Sequence, residues 1–491
     1  MKLHSHNRGG FVLISILIVV MLISMVALSL LFRMRAEEKA AAAGMGGEQA
    51  WAAAMSGVRH AINVLENASS QDWRDNPSIF KNQFVYDDGA HRWYFSVYSS
   101  GTEEAAAIRY GLSDEAGKLN VNHATEESLT AIPLLDESMA QALIDFVDAD
   151  GEAQPEGAEQ PYYDTLEKPY AIHNAPLKTL DELLMVRGFT PALFYGEDAN
   201  QNFRLDANED DGDASFPPDN SNGELARGFR QLFTVSSYDL NLDSADLQRV
   251  DVNDPDANLG DESLPEDTVK FVEAARRNQI TITNICDLVE ATWTMKDEED
   301  QDREYPSGID EETLPLALDR LTHTNDYHLH GLININTASA QVLATVPGID
   351  DALANEIIGA RDAIPPDEQG NIAWLFTEKI VDAEEFRVIG RHLTARGHQF
   401  SLRAAGYSNQ GQYRIIEAIV DLAGDRPRII YLRDISRFGL PFEIDLPENE
   451  GGMSEESSAV MESRELSRHA PLKLPQTSEK NYAQSYRPMT S

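Results

Sequence analysis

The apolar positions of the chain begin in one continuous block near the N-terminus. Residues 11–32 read FVLISILIVVMLISMVALSLLF and carry no formal charge. A helix of that length, roughly 33 Å at 1.5 Å per residue, would cross a bilayer core of about 30 Å. An alanine-rich pattern without proline continues to residue 65. The pattern therefore predicts one long helix over residues 11–65, a membrane span that continues as a stalk.

Two later segments repeat one pattern at an offset of 214 residues. The first copy starts at Leu119-Asn120-Val121-Asn122 and the second at Ile333-Asn334-Ile335-Asn336. Each copy continues as a helix, a short turn and a second helix, which is typical of a helix-hairpin-helix unit. The turn of the second copy contains Gly348, the residue that such a hairpin favours, whereas the first copy has Leu134 there.

Strand patterns lie on both sides of these helical repeats. Alternating, β-branched or aromatic positions predict strands at residues 91–98, 108–112, 400–406, 413–422 and 429–433. Strands on both sides of a helical middle imply a sheet into which a large helical domain is inserted. The predicted class is therefore α+β.

Composition narrows the functions that such a fold could carry. The 491 residues include 40 Lys and Arg against 82 Asp and Glu, a formal net charge of −42. Helix-hairpin-helix units often bind a nucleic-acid backbone, but the second turn is followed by Asp350, Asp351 and Glu356, with only Arg361 as a cation. Phosphate binding depends on Lys and Arg, so packing modules are favoured over nucleic-acid binding. We find no G-x-S-x-G elbow, phosphate loop or recognisable nucleophilic cysteine, so we expect no enzyme.

An acidic stretch between the repeats has the spacing of a calcium loop. Oxygen side chains occupy loop positions 1, 3, 5, 9 and 12 of the EF-hand, and position 7 supplies a backbone carbonyl. These residues are Asp198, Asn200, Asn202, Arg204, Asp206 and Glu209. Position 6, usually glycine, is Phe203, which weakens the match because a positive φ is costly for an aromatic residue. The sequence predicts calcium here, and a solvated acidic loop is the alternative.

The N-terminus resembles a type IV prepilin. A polar leader, residues 1–10, ends in Gly10, and Phe11 opens the apolar helix. The resemblance implies that a prepilin peptidase cuts between Gly10 and Phe11 and that the new N-terminus is methylated. Prepilins usually carry Glu at the fifth mature position, where this chain has Ser15. Because a subunit at the filament tip has no neighbour above it for that carboxylate to pair with, we expect a minor tip subunit. An uncleaved signal anchor is the alternative.

The order of motifs, from the leader to about residue 358, is similar to that of general secretion pathway protein K, a minor pseudopilin of type II secretion systems. The resemblance implies a long N-terminal helix packed on a small antiparallel pilin-like sheet, with the helix-hairpin-helix domain inserted in one loop. It also supports a second calcium group, at Asp148, Asp150 and Glu159. The expected divisions are a leader (1–10), membrane and stalk helix (11–65), first part of the sheet (66–118), inserted α-domain (119–389), second part of the sheet (390–435) and disordered tail (436–491).

The function that this resemblance implies is structural. We expect a single-pass inner-membrane protein with its head in the periplasm, assembled with other minor pseudopilins at the tip of a pseudopilus that exports proteins across the outer membrane. Two alternatives stay open at this point. One is a membrane-anchored nucleic-acid-binding protein for DNA uptake, and the other is a calcium-binding tethered adaptor.

Overall fold

The structure, a computed structural model, describes most of the chain before residue 447. The described residues are 9–67, 73–101, 108–212, 214, 217, 219–260, 264–366, 368–424 and 426–446, with the backbone alone at residues 9–12, 42 and 43. Residues 1–8 of the predicted leader and residues 447–491 of the predicted tail lie outside this range. The start of that tail belongs to the packed part, because the ring of Phe442 contacts Tyr98, Tyr110 and Tyr407 at 5.6, 6.0 and 6.1 Å.

The helices and strands follow one another in short runs along the chain. The α-helices are α1 (Gly9–Asn67), α2 (Pro77–Phe80), α3 (Glu126–Thr130), α4 (Glu137–Val147), α5 (Gln160–Tyr163), α6 (Pro191–Tyr195), α7 (Glu266–Arg277), α8 (Leu314–Arg320), α9 (Ala340–Leu343), α10 (Asp351–Arg361), α11 (Trp374–Thr377) and α12 (Ala383–Ile389). The strands are β1 (Gln83–Asp87), β2 (Arg92–Ser100), β3 (Ile108–Arg109), β4 (Ser113–Asp114), β5 (Leu119–Asn120), β6 (Phe233–Thr234), β7 (Tyr238–Leu240), β8 (Val250–Asp251), β9 (Thr292–Lys296), β10 (Asp302–Pro306), β11 (Leu321–Thr322), β12 (His328–His330), β13 (Ile333–Asn334), β14 (Leu393–Thr394), β15 (Gln399–Ser408), β16 (Tyr413–Asp421) and β17 (Arg428–Asp434).

The principal sheet combines strands from the two sides of the helical middle. Its order is β1-β2-β15-β16-β17, with β3 paired to β2 and β4 to β15. Neighbouring strands along this order are antiparallel. Since β2 precedes the repeats and β15 follows them, the helical region is an insertion between adjacent strands. The predicted α+β class, with its long N-terminal helix, antiparallel sheet and inserted helical region, is confirmed.

The second half of α1 packs on this sheet through small side chains. Ala50, Ala53, Ala54, Val58 and Ala61 recur every three or four residues and are fully buried. That spacing places them on one face of the helix. Short side chains let the helix backbone lie close to the strands, so α1 is joined to the head over this half.

The two repeat copies fold alike, down to the first residue of each helix. Helices α3 and α4 begin at Glu126 and Glu137, and α9 and α10 begin 214 residues later, at Ala340 and Asp351. Each copy begins with a short parallel strand pair, β5 with β6 and β13 with β14. The sequence repeat is therefore a repeat of structure.

The side chains of the N-x-N start of each copy form both local and distant hydrogen bonds. The Oδ1 of Asn120 accepts from the amide of Asn122 at 3.1 Å, and Asn334 accepts from Asn336 at 3.0 Å. The second asparagine of each pair then donates to a distant carbonyl, that of Leu177 or Gln369, at 3.0 and 2.9 Å. Both asparagines of each motif thus turn the chain from the strand into the hairpin.

The acidic insertion, residues 198–310, contributes to the core of the inserted domain. Phe271, Val272, Ala274 and Ala275 of α7 are buried in the same apolar cluster as the repeat helices. Helix α7 keeps Glu and Asp in its first turn and two Arg in its last, an arrangement that complements the helix dipole. The insertion is therefore a packed extension of the helical domain.

Substitutions in the turns of the two hairpins are expected to change the stability of the fold in opposite directions. Leu134 has φ +69° and is 79% exposed, and Gly348 has φ +91°. A left-handed backbone costs an ordinary residue about 1–2 kcal/mol, and glycine costs about 0.5–1 kcal/mol in lost chain entropy. We expect Leu134→Gly to stabilise the fold by about 0.5–1 kcal/mol and Gly348→Ala to destabilise it, because the added Cβ would lie 3.0 Å from Val388. Urea unfolding midpoints of the two variants measure this; shifts in the same direction would contradict it.

Candidate membrane anchor and cation sites

The first half of α1 exposes a continuous apolar surface. Its large apolar side chains from Leu13 to Phe32 are exposed by 52–72%. Within the described residues, the segment Leu13–Asn67 of this helix is long and apolar enough to cross a membrane. Large exposed apolar patches mark interaction or membrane surfaces, so this half is a candidate anchor.

Three carboxylates meet where α4 ends and α5 begins. Asp148 is the residue after the last turn of α4, and Glu159 caps the start of α5. One oxygen from each of Asp148, Asp150 and Glu159 lies within 4.8 Å of the other two. The structure therefore brings together the group that sequence spacing supported less well.

Two buried oxygens at this group lack a hydrogen-bond partner among the described residues. Glu159 is 3% exposed, and its Oε2 accepts from the Asn174 side chain at 3.2 Å. Among the described residues, Glu159 Oε1 and Asn174 Oδ1 are buried without a partner. Burial raises the pKa of Glu159, and burial followed by the charge of Asp150 raises the pKa of Asp148. A buried carboxylate that is short of a hydrogen bond, with a half-buried and an exposed carboxylate close by, fits a hard cation such as calcium.

The loop from Asp198 to Glu209 is held by hydrogen bonds between its own residues. The buried carboxylate of Asp198 accepts from the amides of Asn202 and Phe203, at 3.0 and 3.2 Å. Asp206 Oδ2 accepts from the side chains of Asn200 and Asn202, at 2.7 and 2.8 Å. Polar contacts thus already shape the loop.

The residue at loop position 6 adopts the backbone conformation that the loop requires. Phe203 has φ +64°. Its ring lies under the guanidinium of Arg403, whose Cζ is 3.6 Å from the ring centroid, and Arg403 also donates to the carbonyl of Gln201 at 2.7 Å. We expected an aromatic residue to disfavour this turn because of the cost of a positive φ. In the structure, a cation–π contact with Arg403, on a strand far along the chain, offsets that cost.

The carboxylates of this loop are less well placed for a metal than those at α4. Among the described residues, Asp198, Asp206 and Glu209 do not form a group as close as that of Asp148, Asp150 and Glu159. Arg204 adds a cation, with its Nε 3.9 Å from Asp206 Oδ1. Glu209 is 1% exposed, its Oε1 has no partner among the described residues, and burial raises its pKa to about 7. Glu209 is therefore the residue of this loop that most needs a proton or a cation.

The second hairpin does not present a cation to the solvent at its turn. Arg361, the cation expected there, is buried and donates to the carbonyl of Ala338 at 2.7 Å. Asp350 caps α10 by accepting from the amide of Leu353 at 2.8 Å. Both side chains therefore stabilise the hairpin, and neither is arranged to meet a phosphate.

Comparison with known families identifies the segment that holds the first repeat. Residues 118–195 match the family model of protein K of the type II secretion system. The resemblance to protein K is confirmed. Residues 330–366 match the model of the helix-hairpin-helix motif, which confirms the second repeat copy. A protein K chain is a structural component of a secretion system.

The comparison with solved structures gives a more distant match. Among solved structures, a chain of the GspK-GspI-GspJ complex from the type 2 secretion system of enterotoxigenic Escherichia coli matches at 13% identity and a TM-score of 0.37. The match covers 82% of this chain and 99% of that chain. No curated protein matches the chain.

Proposed function

We propose that this chain is a minor pseudopilin at the tip of a type II secretion pseudopilus, where it contributes structurally to protein export across the outer membrane. One observation carries the proposal. A single helix, α1, runs without a break from an exposed apolar half into a half that is packed on the sheet of the head.

The apolar side chains in the exposed half of α1 are not buried by any other part of the described chain. Its side chains from Leu13 to Phe32 would be covered by lipid while the chain sits in the inner membrane. After extraction from the membrane, the same surface would be covered by the apolar helices of other minor pseudopilins. The rigid union of α1 with the head would then transmit a push on the helix to the periplasmic part.

The leader and the residue at the fifth mature position support the proposed place of the subunit at the tip. Removal of residues 1–10 by a prepilin peptidase would make Phe11 the first residue of the apolar helix. Ser15 lacks the carboxylate that pairs with the terminal amine of a neighbour in related filaments. A charge in an apolar helix bundle needs such a partner, so serine suits a subunit with no neighbour above it.

Calcium is proposed as a structural ligand of the inserted domain. The group of Asp148, Asp150 and Glu159 is the stronger site, because its oxygens are already close together and Glu159 is buried. The loop of Asp198, Asn200, Asn202, Arg204, Asp206 and Glu209 is the second. An ion that binds only the folded state stabilises that state.

Processing at Gly10 tests the proposed function directly. We expect the mature protein from its native host to begin at a methylated Phe11, and we expect Gly10→Val to leave the leader attached because a bulky side chain would occupy the position before the cut. Mass spectrometry of the N-terminal peptide measures both. Gly9→Ala, one residue away, is the matched control and should still be cut.

Failure to remove the leader from the wild-type chain would count against the proposed function. A wild-type chain that keeps Met1 in its native host would contradict the pseudopilin function and would leave a tethered adaptor as the better description.

A further inference from the structure

A cavity of about 470 Å³ lies between the principal sheet and the inserted domain. Its lining includes Ser99 and Arg109 from the strands of the sheet and Arg361 from α10. Ile430, which is 47% exposed, also belongs to the lining, so the cavity reaches the surface. Cavities of this size commonly hold small molecules.

Three arginines in this lining have no carboxylate partner. Arg74, Arg109 and Arg361 line the cavity, and their hydrogen bonds among the described residues go to carbonyl and hydroxyl oxygens. By contrast, Arg230 in the same lining is paired with Glu417 at 3.2 Å. The fold therefore neutralises some of the arginines around the cavity with its own carboxylates and leaves these three without such a partner.

The acceptors of Arg109 and Arg74 are neutral groups. Arg109 donates to the hydroxyls of Ser99 and Ser113, at 2.8 and 2.7 Å. Arg74 makes one long contact among the described residues, from Nη1 to the carbonyl of Asn336 at 3.5 Å. Neutral acceptors hold a guanidinium in place but do not cancel its charge, so both charges can act on a ligand.

Arg361 turns one edge of its guanidinium away from the hairpin. It is buried, with 9% of its surface exposed, whereas Arg74 and Arg109 are partly buried. Its Nη1 donates to the carbonyl of Ala338, but its Nε is buried without a partner among the described residues. Because a buried donor without an acceptor is costly, this edge is available to an acceptor that enters the cavity.

The charges of the three arginines affect one another. Burial, followed by the charge of Arg74, lowers the pKa of Arg109 and of Arg361 to about 10. Arg74 therefore lies near both of them. Nearby carboxylates, among them Asp75 and Asp114, oppose this effect only in part. An anion in the cavity would relieve the remaining repulsion.

We propose that this cavity binds a small organic anion with two or three carboxylate groups. The arginine fork pairs with a planar carboxylate through two parallel hydrogen bonds. The three arginines come from separate parts of the chain, since Arg74 precedes α2, Arg109 lies in β3 and Arg361 ends α10. Charges that are spread over the lining in this way suit a ligand with several carboxylates better than a single tetrahedral oxyanion.

A bound polycarboxylate would connect the sheet to the second hairpin. Arg109 lies on a strand that pairs with β2, and Arg361 belongs to the segment that matches the helix-hairpin-helix model. These two residues are brought together only in the folded chain. The ligand should therefore stabilise the folded state.

Calorimetric titration of the full chain in detergent tests the site. The probe is tricarballylate, a propane chain with a carboxylate on each carbon, added with excess Ca²⁺ so that the acidic groups keep their ion. We expect one site per chain in the wild type and an affinity at least about tenfold weaker in Arg74→Gln, because a hydrogen bond between charged groups is lost. Arg59→Gln, at an exposed arginine of α1, is the matched control and should bind as the wild type does.

Thermal unfolding separates ligand binding from a structural role of Arg74. Because Arg74 makes one long contact, Arg74→Gln should not lower the melting temperature of the ligand-free protein. Tricarballylate should raise the melting temperature of the wild type and of Arg59→Gln much more than that of Arg74→Gln. Inorganic phosphate should bind more weakly than tricarballylate. The proposal is overturned if the wild type does not bind tricarballylate, if Arg74→Gln and Arg59→Gln bind it equally well, or if phosphate binds as tightly.

Discussion

Gly406→Val is expected to separate the stalk helix from the sheet and to destabilise the head by about 3 kcal/mol. The reason is a direct contact between two backbones. A Cβ built on Gly406 in β15 would lie 2.1 Å from the carbonyl oxygen of Ala50 and 2.3 Å from the amide nitrogen of Ala54 in α1. Because both atoms belong to the helix backbone, no side-chain rotation relieves the clash, and the helix itself must move.

Hydrogen exchange measures where the damage falls. Amides of α1 between Ala50 and Ala61 should exchange roughly a hundredfold faster in Gly406→Val, the equivalent of about 3 kcal/mol in local stability. Gly44→Ala in the same helix is the matched control, because an added Cβ at Gly44 meets nothing within 4 Å. Alanine there should stabilise α1 slightly. Unchanged exchange in α1 of Gly406→Val would contradict the close packing of the helix on β15.

This contact matters for function because the proposed role is mechanical. In that proposed role, the chain would receive force through the helix and would carry its load in the head. Small residues on both sides of the contact, alanines in α1 and Gly406 in β15, let the two backbones lie close together. A loosened helix would still anchor the chain in the membrane, so the Gly406 variant separates anchoring from transmission.

Much of the fold could be predicted because the signals are local or repeated. The uncharged run and the proline-free stalk predicted a helix over residues 11–65, and α1 extends over Gly9–Asn67. The repeat at an offset of 214 residues predicted equivalent hairpins, since the first asparagine of each N-x-N motif and the Asp caps act within a few residues of themselves. The Leu134 position shows the strength of this repeat, because leucine takes the left-handed backbone that Gly348 has in the other copy.

The candidate sites were harder to predict because their partners are distant in the sequence. The conformation of Phe203 depends on Arg403, and the burial of Glu159 involves Asn174, which no loop motif specifies. Spacing alone favoured the EF-hand-like loop, whereas three-dimensional proximity favours the group at Asp148, Asp150 and Glu159.

Removal of calcium is expected to destabilise the inserted domain strongly, and Glu159→Gln is expected to abolish most of that effect. At a free calcium concentration about one hundred times the dissociation constant, binding to the folded state alone contributes about 2.7 kcal/mol. Thermal unfolding of the full chain in detergent, with calcium and with a chelator, measures the difference. Glu167→Gln, at an exposed carboxylate nearby, is the control and should keep the full calcium effect.

The pH dependence of stability tests the calcium proposal independently. Burial raises the pKa of Glu159 and raises that of Glu209 to about 7, so the folded chain binds protons more tightly than the unfolded chain at these groups. In chelator, these groups should therefore make the protein less stable as the pH rises from their ordinary range to about 7. Calcium should reverse this trend, because it binds the ionised carboxylates.

Glu159→Gln should therefore change the stability of the protein in opposite directions in chelator and in calcium. In chelator at pH 7.5 it should stabilise the protein, since it removes a buried charge that has no cation, and in calcium it should destabilise the protein, since it removes a ligand. Glu209→Gln should show the same reversal if the second loop also binds. A Glu159→Gln variant that is destabilised equally in both conditions would show that Glu159 stabilises the fold only through Asn174 and the start of α5, with no ion at the site.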